Sequence, residues 1–130
     1  MSKYHSEWRE LEGHEDAPYF YVRPKVFVDD FDWIKLFSDS YDGYGRTVGP
    51  MLVDVSHADE QIGPEGFRGI IEALRERGVE QVRLALLPSN QFYPELLKLL
   101  DKLANTSGLN FTGRIVTSRV EAEDWLRSTH

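Results

Sequence analysis

The sequence predicts a single α/β domain: a four- or five-stranded mixed sheet with a mostly parallel core, covered by about four helices. Three observations carry that prediction. Short apolar runs at residues 51–55, 81–87 and 111–116 read as buried strands, since a central parallel strand is covered on both faces. Each run is followed by residues whose apolar members recur at helical spacing. The connections are long enough for parallel crossovers.

Taken in order, residues 19–28 are rich in β-branched and aromatic side chains and should be extended, with an interruption at Pro24. Residues 6–11 can pair with them as a hairpin across residues 13–18. Asp29 or Asp30 is placed to cap a helix whose apolar stripe is Phe31, Ile34, Phe37 and Tyr41. Asp42-Gly43-Tyr44-Gly45-Arg46 is a glycine turn. After Met51-Leu52-Val53-Asp54-Val55, Gly63-Pro64-Glu65 opens a helix, because proline suits the first helical position and an acid the first turn. Phe67, Ile70, Ile71 and Leu74 form its buried stripe and Gly78 its left-handed cap. The strand at 81–87 stops at Pro88-Ser89-Asn90. Pro94 and Leu96, Leu97, Leu99, Leu100 and Leu103 mark the next helix, closed by Asn105-Thr106-Ser107-Gly108. Beyond the strand at 111–116, Ser118 and Glu121 form a capping box for a last helix, with Ala122, Trp125 and Leu126 inward.

A chain of 130 residues, 41% of them apolar, suits one domain with a real core. It has no cysteine, which rules out disulfides and thiolate chemistry. No apolar run reaches the roughly 18 residues of a membrane span, and residues 1–7 do not resemble a signal peptide, so a cytoplasmic protein is expected. Residues 28–60 carry two Lys/Arg against eight Asp/Glu, whereas residues 61–130 carry nine of each. Nucleic acid needs a basic footprint and finds none, so no nucleic-acid partner is expected. The acidic third reads as a solvated surface with helix-start carboxylates, or alternatively as a face for a basic partner.

Two stretches resemble the STAS (anti-sigma factor antagonist, SpoIIAA-like) family. Leu52-Val53-Asp54-Val55-Ser56 is similar to its central strand, an apolar run ending in Asp-hydrophobic-Ser. Residues 82–126 are similar to its SpoIIAA-like branch and end in the closing signature Ala122-Glu123-Asp124-Trp125-Leu126. The resemblance covers most of residues 19–127 and implies an extended N-terminal segment, three helix–strand steps and a final helix. Partner-switching members are phosphorylated on a Ser that starts the helix after the central strand. Here Gly63 and Pro64 stand at that place and Ser56 falls too early. The resemblance therefore implies the fold and a regulatory or interaction role without that switch.

Ligands of open parallel sheets sit beyond the carboxyl ends of the strands. That edge should gather Asp54, Ser56, His57 and Asp59, then Ser89, Asn90, Phe92 and Tyr93, then Thr117 and Ser118. Of these, Asp54, Ser56, His57, Asp59, Ser89, Asn90, Phe92 and Tyr93, in the loops after the strands at 51–55 and 82–87, define the expected surface for a protein or small-molecule partner. The first reading is a non-enzymatic binding domain. The alternative is a small hydrolase in which His57 takes the proton of Ser89 and Asp54 orients it. Against it, Ser89 lies in Pro-Ser-Asn rather than in a Gly-x-Ser-x-Gly elbow, and Ser89 or Asn90 serves equally as a helix cap. A third reading is self-association, as a homodimer. No metal or cofactor is expected: His5 and His14 lie near Glu7, Glu10 and Glu15, but His57 and His130 are remote and no pair has i, i+4 spacing. Gly43-Tyr44-Gly45 lacks the third glycine of a phosphate cradle, and Glu65 opposes an anion at Gly63-Pro64-Glu65-Gly66. Tyr41, Tyr44, Phe92 and Tyr93 read as turn and staple packing, or as an apolar binding patch.

Overall fold

The computed structural model describes residues 4–11, 14–25, 29–56, 64–88 and 94–128. The elements run β1 (Tyr4–Leu11), β2 (His14–Pro24), α1 (Asp30–Ser40), β3 (Val48–Asp54), α2 (Pro64–Glu76), β4 (Gln81–Leu87), α3 (Pro94–Thr106), β5 (Asn110–Ile115) and α4 (Arg119–Ser128). They form an α/β domain on one five-stranded sheet ordered β1-β2-β3-β4-β5. The β1–β2 hairpin is antiparallel, while β2 through β5 are parallel.

Because the strands follow one another across the sheet, right-handed crossovers place every connecting helix on one face. That face holds the main core: Trp33, Leu36 and Phe37 of α1, Phe67, Ile70, Ile71 and Leu74 of α2, and Leu100 and Ala104 of α3. Only α4, which follows the last strand, is free to cross to the other face. There Ala122 and Leu126 pack on Tyr19, Tyr21, Leu52 and Ala85. Alternation along β4 divides its side chains accordingly, with Val82, Leu84 and Leu86 toward three helices and Ala85 toward one. Arg83 is buried on the α4 side with its guanidinium over the Trp125 ring at 4.5 Å. Removal from water pulls its pKa below the usual value.

The structure corrects four expectations. β2 begins at His14, so the hairpin turn is shorter than residues 13–18 allowed. β3 begins at Val48 rather than Met51 and runs through Pro50. Its ladder with β2 starts only at Met51, leaving Pro50 paired with β4 alone, where a residue without an N–H fits. The buried stripe of α1 is Trp33, Leu36 and Phe37, whereas Phe31 is 73% exposed. At about 100° per residue, Phe31 points about 120° away from Phe37, but Trp33 only about 40°. Leu99 is also exposed instead of joining the buried stripe of α3.

Local chemistry explains the helix ends. Asp29 is the cap of α1, accepting from the Asp32 amide at 2.8 Å while Asp32 accepts from the Asp29 amide at 3.4 Å. Gly78 and Gly108 follow α2 and α3 with φ of 88° and 83°, where an L-residue would be strained. At α4 the Glu121 amide bonds Ser118 Oγ at 3.1 Å, but the Glu121 carboxylate reaches one residue further back than expected, to the Thr117 amide at 3.0 Å and hydroxyl at 2.6 Å.

Glycines on α2 set the approach of α1. A Cβ at Gly66 would lie 2.8 Å from Asp30 Cβ and 2.6 Å from its Cγ. Because Asp30 Cβ is fixed to the α1 backbone, the helix itself must shift. Overpacking costs about 1–3 kcal/mol, against about 1 kcal/mol gained in helix propensity. Gly66→Ala is therefore expected to lower stability, read as a lower urea midpoint with an unchanged slope.

Candidate functional site

The parallel strands bring their carboxyl ends to one edge. Asp54 and Leu87 are register partners there, and the Val55 amide extends the ladder to the Leu87 carbonyl at 2.9 Å. Val116 continues it on the far side, its amide on the Leu86 carbonyl at 2.9 Å. Asp54 and Ser56 thus share an edge with Thr117 and Ser118, separated by two strand spacings, about 10 Å. His57, Asp59, Ser89, Asn90, Phe92 and Tyr93 lie outside the described residues.

The acids at this edge accept locally. Asp54 Oδ1 takes both the Ser56 amide at 3.0 Å and the Ser56 hydroxyl at 2.6 Å, closing a two-residue turn. Glu121 takes the amide and hydroxyl of Thr117, and those bonds hold its carboxyl below the usual pKa. A carboxylate kept ionised by two donors is a poor general acid.

Four of the described carboxylates of the acidic third are used in the same manner. Asp29 and Asp32 cap α1, Lys35 pairs with Asp39 at 3.2 Å, and Asp54 serves Ser56. These contacts favour a solvated surface with helix-start carboxylates. The aromatic residues of the glycine turn are likewise structural. Tyr41 is fully buried, and Tyr44 donates to the Val48 carbonyl at 2.7 Å while stacking on Trp8 at 5.1 Å. His5 lies 3.7 Å from Glu7 and edge-on to Tyr21. Among the described residues no three histidines or carboxylates gather as a metal-binding group. No described helix is long and apolar enough to cross a membrane.

Two features were not legible in the sequence. On the α4 face, the Tyr19 hydroxyl donates to Glu123, Arg119 lies 3.6 Å from the same carboxylate, and Arg9 pairs with Glu7 while covering Tyr21 at 3.8 Å. Burial, followed by the bond to Glu123, pushes the Tyr19 pKa up. This network fastens α4 to the hairpin across 104 positions of sequence, so no local pattern announces it.

The second feature is a cavity of about 70 Å³ between the sheet and α1–α3. Its described lining is entirely apolar: Met51, Val53 and Val55 from β3 and its end, Val82, Leu84 and Leu86 from β4, and ring and aliphatic side chains from the helices and β5. The described lining gives a water molecule little to bond to. Helical and strand periodicity identified most of the lining residues as core, though not Trp33 or Leu109, and it carries no information on how completely they fill the space.

Compared with protein-family models, curated proteins and solved structures, the chain matches none.

Proposed function

We propose that the chain is a non-enzymatic binding domain of the STAS, SpoIIAA-like kind, engaging a small ligand or a protein partner at the carboxyl edge of its parallel strands. The order of elements supports the fold: a hairpin, three helix–strand steps and a closing helix that carries Ala122, Trp125 and Leu126. The observation that carries the function is the use of the edge carboxylates. Asp54 and Glu121 both act as acceptors for neighbouring backbone and hydroxyl groups, as loop- and cap-forming residues do. Pro64 opens α2 where a switching Ser would stand, so the proposed regulation does not run through phosphorylation of that position.

The test is a comparison of wild type with Asp54→Asn and Ser89→Ala on ester, amide and phosphoester substrates. The expected result is hydrolysis at the uncatalysed rate in all three. Turnover by the wild type that falls a hundredfold or more in both variants would establish the hydrolase alternative instead.

A further inference from the structure

We infer that the outer edge of β5 is a self-association surface, where a second copy of this chain adds its own β5 antiparallel and continues the sheet. β5 ends the strand order, and among the described residues no strand lies beyond it. Its pairing with β4 shows which backbone groups face outward. The Asn110 amide donates to the Glu80 carbonyl at 3.0 Å and the Val116 amide to the Leu86 carbonyl at 2.9 Å. Even-numbered residues therefore turn their amides and carbonyls to β4, and those of Phe111, Gly113 and Ile115 point away from the sheet.

The two edges of the sheet are protected differently. β1 carries Glu7, Arg9 and Glu10, and its register with β2 shifts between Arg9 and Leu11; both features discourage strand addition. β5 has no proline, keeps one register with β4 from Asn110 to Ile115, and has Arg114 as its one charged residue. Charge selects the same edge. Residues 28–60 hold two Lys/Arg against eight Asp/Glu, and α1, which carries Asp30, Asp32 and Asp39, packs on β2 through Phe37 and Phe20. β2 lies three strand spacings, about 14 Å, from β5, beyond the Debye length of about 8 Å at physiological salt. Residues 61–130, which supply α3, β5 and α4, carry nine charges of each sign. Two copies that repel through one end of the sheet can therefore meet through the other.

Register locates the two-fold axis. Opposed residues of antiparallel strands share a face, so the axis must pass through a residue of β5. Centred on Gly113, the pairing sets Phe111 against Ile115 of the second copy and Gly113 against Gly113, which satisfies every outward amide and carbonyl. Thr112 then lies opposite Arg114 on the exposed face. Centred on Thr112, Ile115 would meet Leu109, whose amide is already bonded to the Ala104 carbonyl at 2.9 Å. Centred on Arg114, two guanidinium groups would oppose each other. In the Gly113 register the carboxyl ends of the two parallel sets point in opposite directions, so the two proposed binding edges do not meet.

The experiment is sedimentation velocity with amide hydrogen exchange on the full chain, between about 10 μM and about 1 mM. The expected result is a mass that rises from 15.0 kDa toward twice that value. Exchange at Phe111, Gly113 and Ile115 should slow as concentration rises, whereas Thr112 and Arg114 stay protected throughout. Thr112 is exposed, so its replacement spares the core. Thr112→Glu would face Arg114 of the second copy and should tighten the dimer about fivefold, while Thr112→Lys should weaken it about fivefold. If a variant does not fold, the wild-type exchange pattern decides the matter alone. A monomer at every concentration, a dimer without the alternating protection, or Thr112 variants that both act alike would overturn the inference.

Discussion

Phe20→Ala is expected to remove about 3–5 kcal/mol of stability, a large part of what a domain of this size possesses. Phe20 is 1% exposed on β2 and is the ring on which the N-terminal half converges. Its centroid lies 5.1 Å from Trp8 on β1, 5.5 Å from Phe37 on α1 and 5.6 Å from Tyr41 at the end of α1. Truncation opens a void bounded by a strand and a helix that are each anchored elsewhere, so collapse onto it is limited. Guanidinium unfolding followed by circular dichroism measures the loss. Phe31→Ala is the control: that ring is 73% exposed, and its removal should change stability by less than about 0.5 kcal/mol.

Tyr41→Phe should act in the opposite direction. Tyr41 is fully buried, and its hydroxyl has no hydrogen-bond partner among the described residues. An unsatisfied buried hydroxyl costs about 1–3 kcal/mol, and phenylalanine keeps the ring contacts without it. A rise in stability of that order at pH 7 is the expected result. The gain should grow under alkaline conditions. Burial drives the Tyr41 pKa well above its ordinary 10.0, with the neighbouring Tyr44 adding to the shift. Above pH 10 the unfolded chain releases the phenolic proton and the folded chain retains it. The folded state then binds more protons, so stability falls as pH rises, by up to about 1.4 kcal/mol per pH unit for this group. The variant lacks that contribution and should lose less stability between pH 9 and 11. Tyr19 and Tyr44, also raised by burial, add the same sign in both proteins and cancel in the comparison.

The parallel half of the fold was legible because its signals are local. Gly78, Pro64 and Ser118 mark helix ends through backbone chemistry, and the Phe67–Leu74 stripe has the helical period. Even the distribution of helices over the two faces follows once the strands are taken in sequential order. The N-terminal half was read less accurately because competing periods overlap there. Phe31 is apolar and falls at helical spacing from Ile34, yet the fold buries Trp33 and Leu36 instead, a choice made by the sheet and by the approach of α2 at Gly66 and Gly69. Pro50 concealed the start of β3 because its tolerance depends on where the β2 ladder begins.

For the candidate site, Asp54, Ser56, Thr117 and Ser118 were placed at one edge by the rule of parallel strands, and the structure puts them there. That Asp54 serves the Ser56 turn is a matter of side-chain rotation that residue spacing does not encode. The Tyr19–Glu123 bond and the apolar cavity are products of tertiary packing alone. Both lie between segments that have no neighbouring positions in sequence.

The function proposed for this domain is binding without catalysis. It is tested most directly by native mass spectrometry of the full chain purified gently from its own host and then remeasured after denaturation. The expected result is a native mass above that of the 15.0 kDa chain, with the excess lost as an intact non-covalent ligand or partner on denaturation. The same mass in both states, with nothing released, would contradict it.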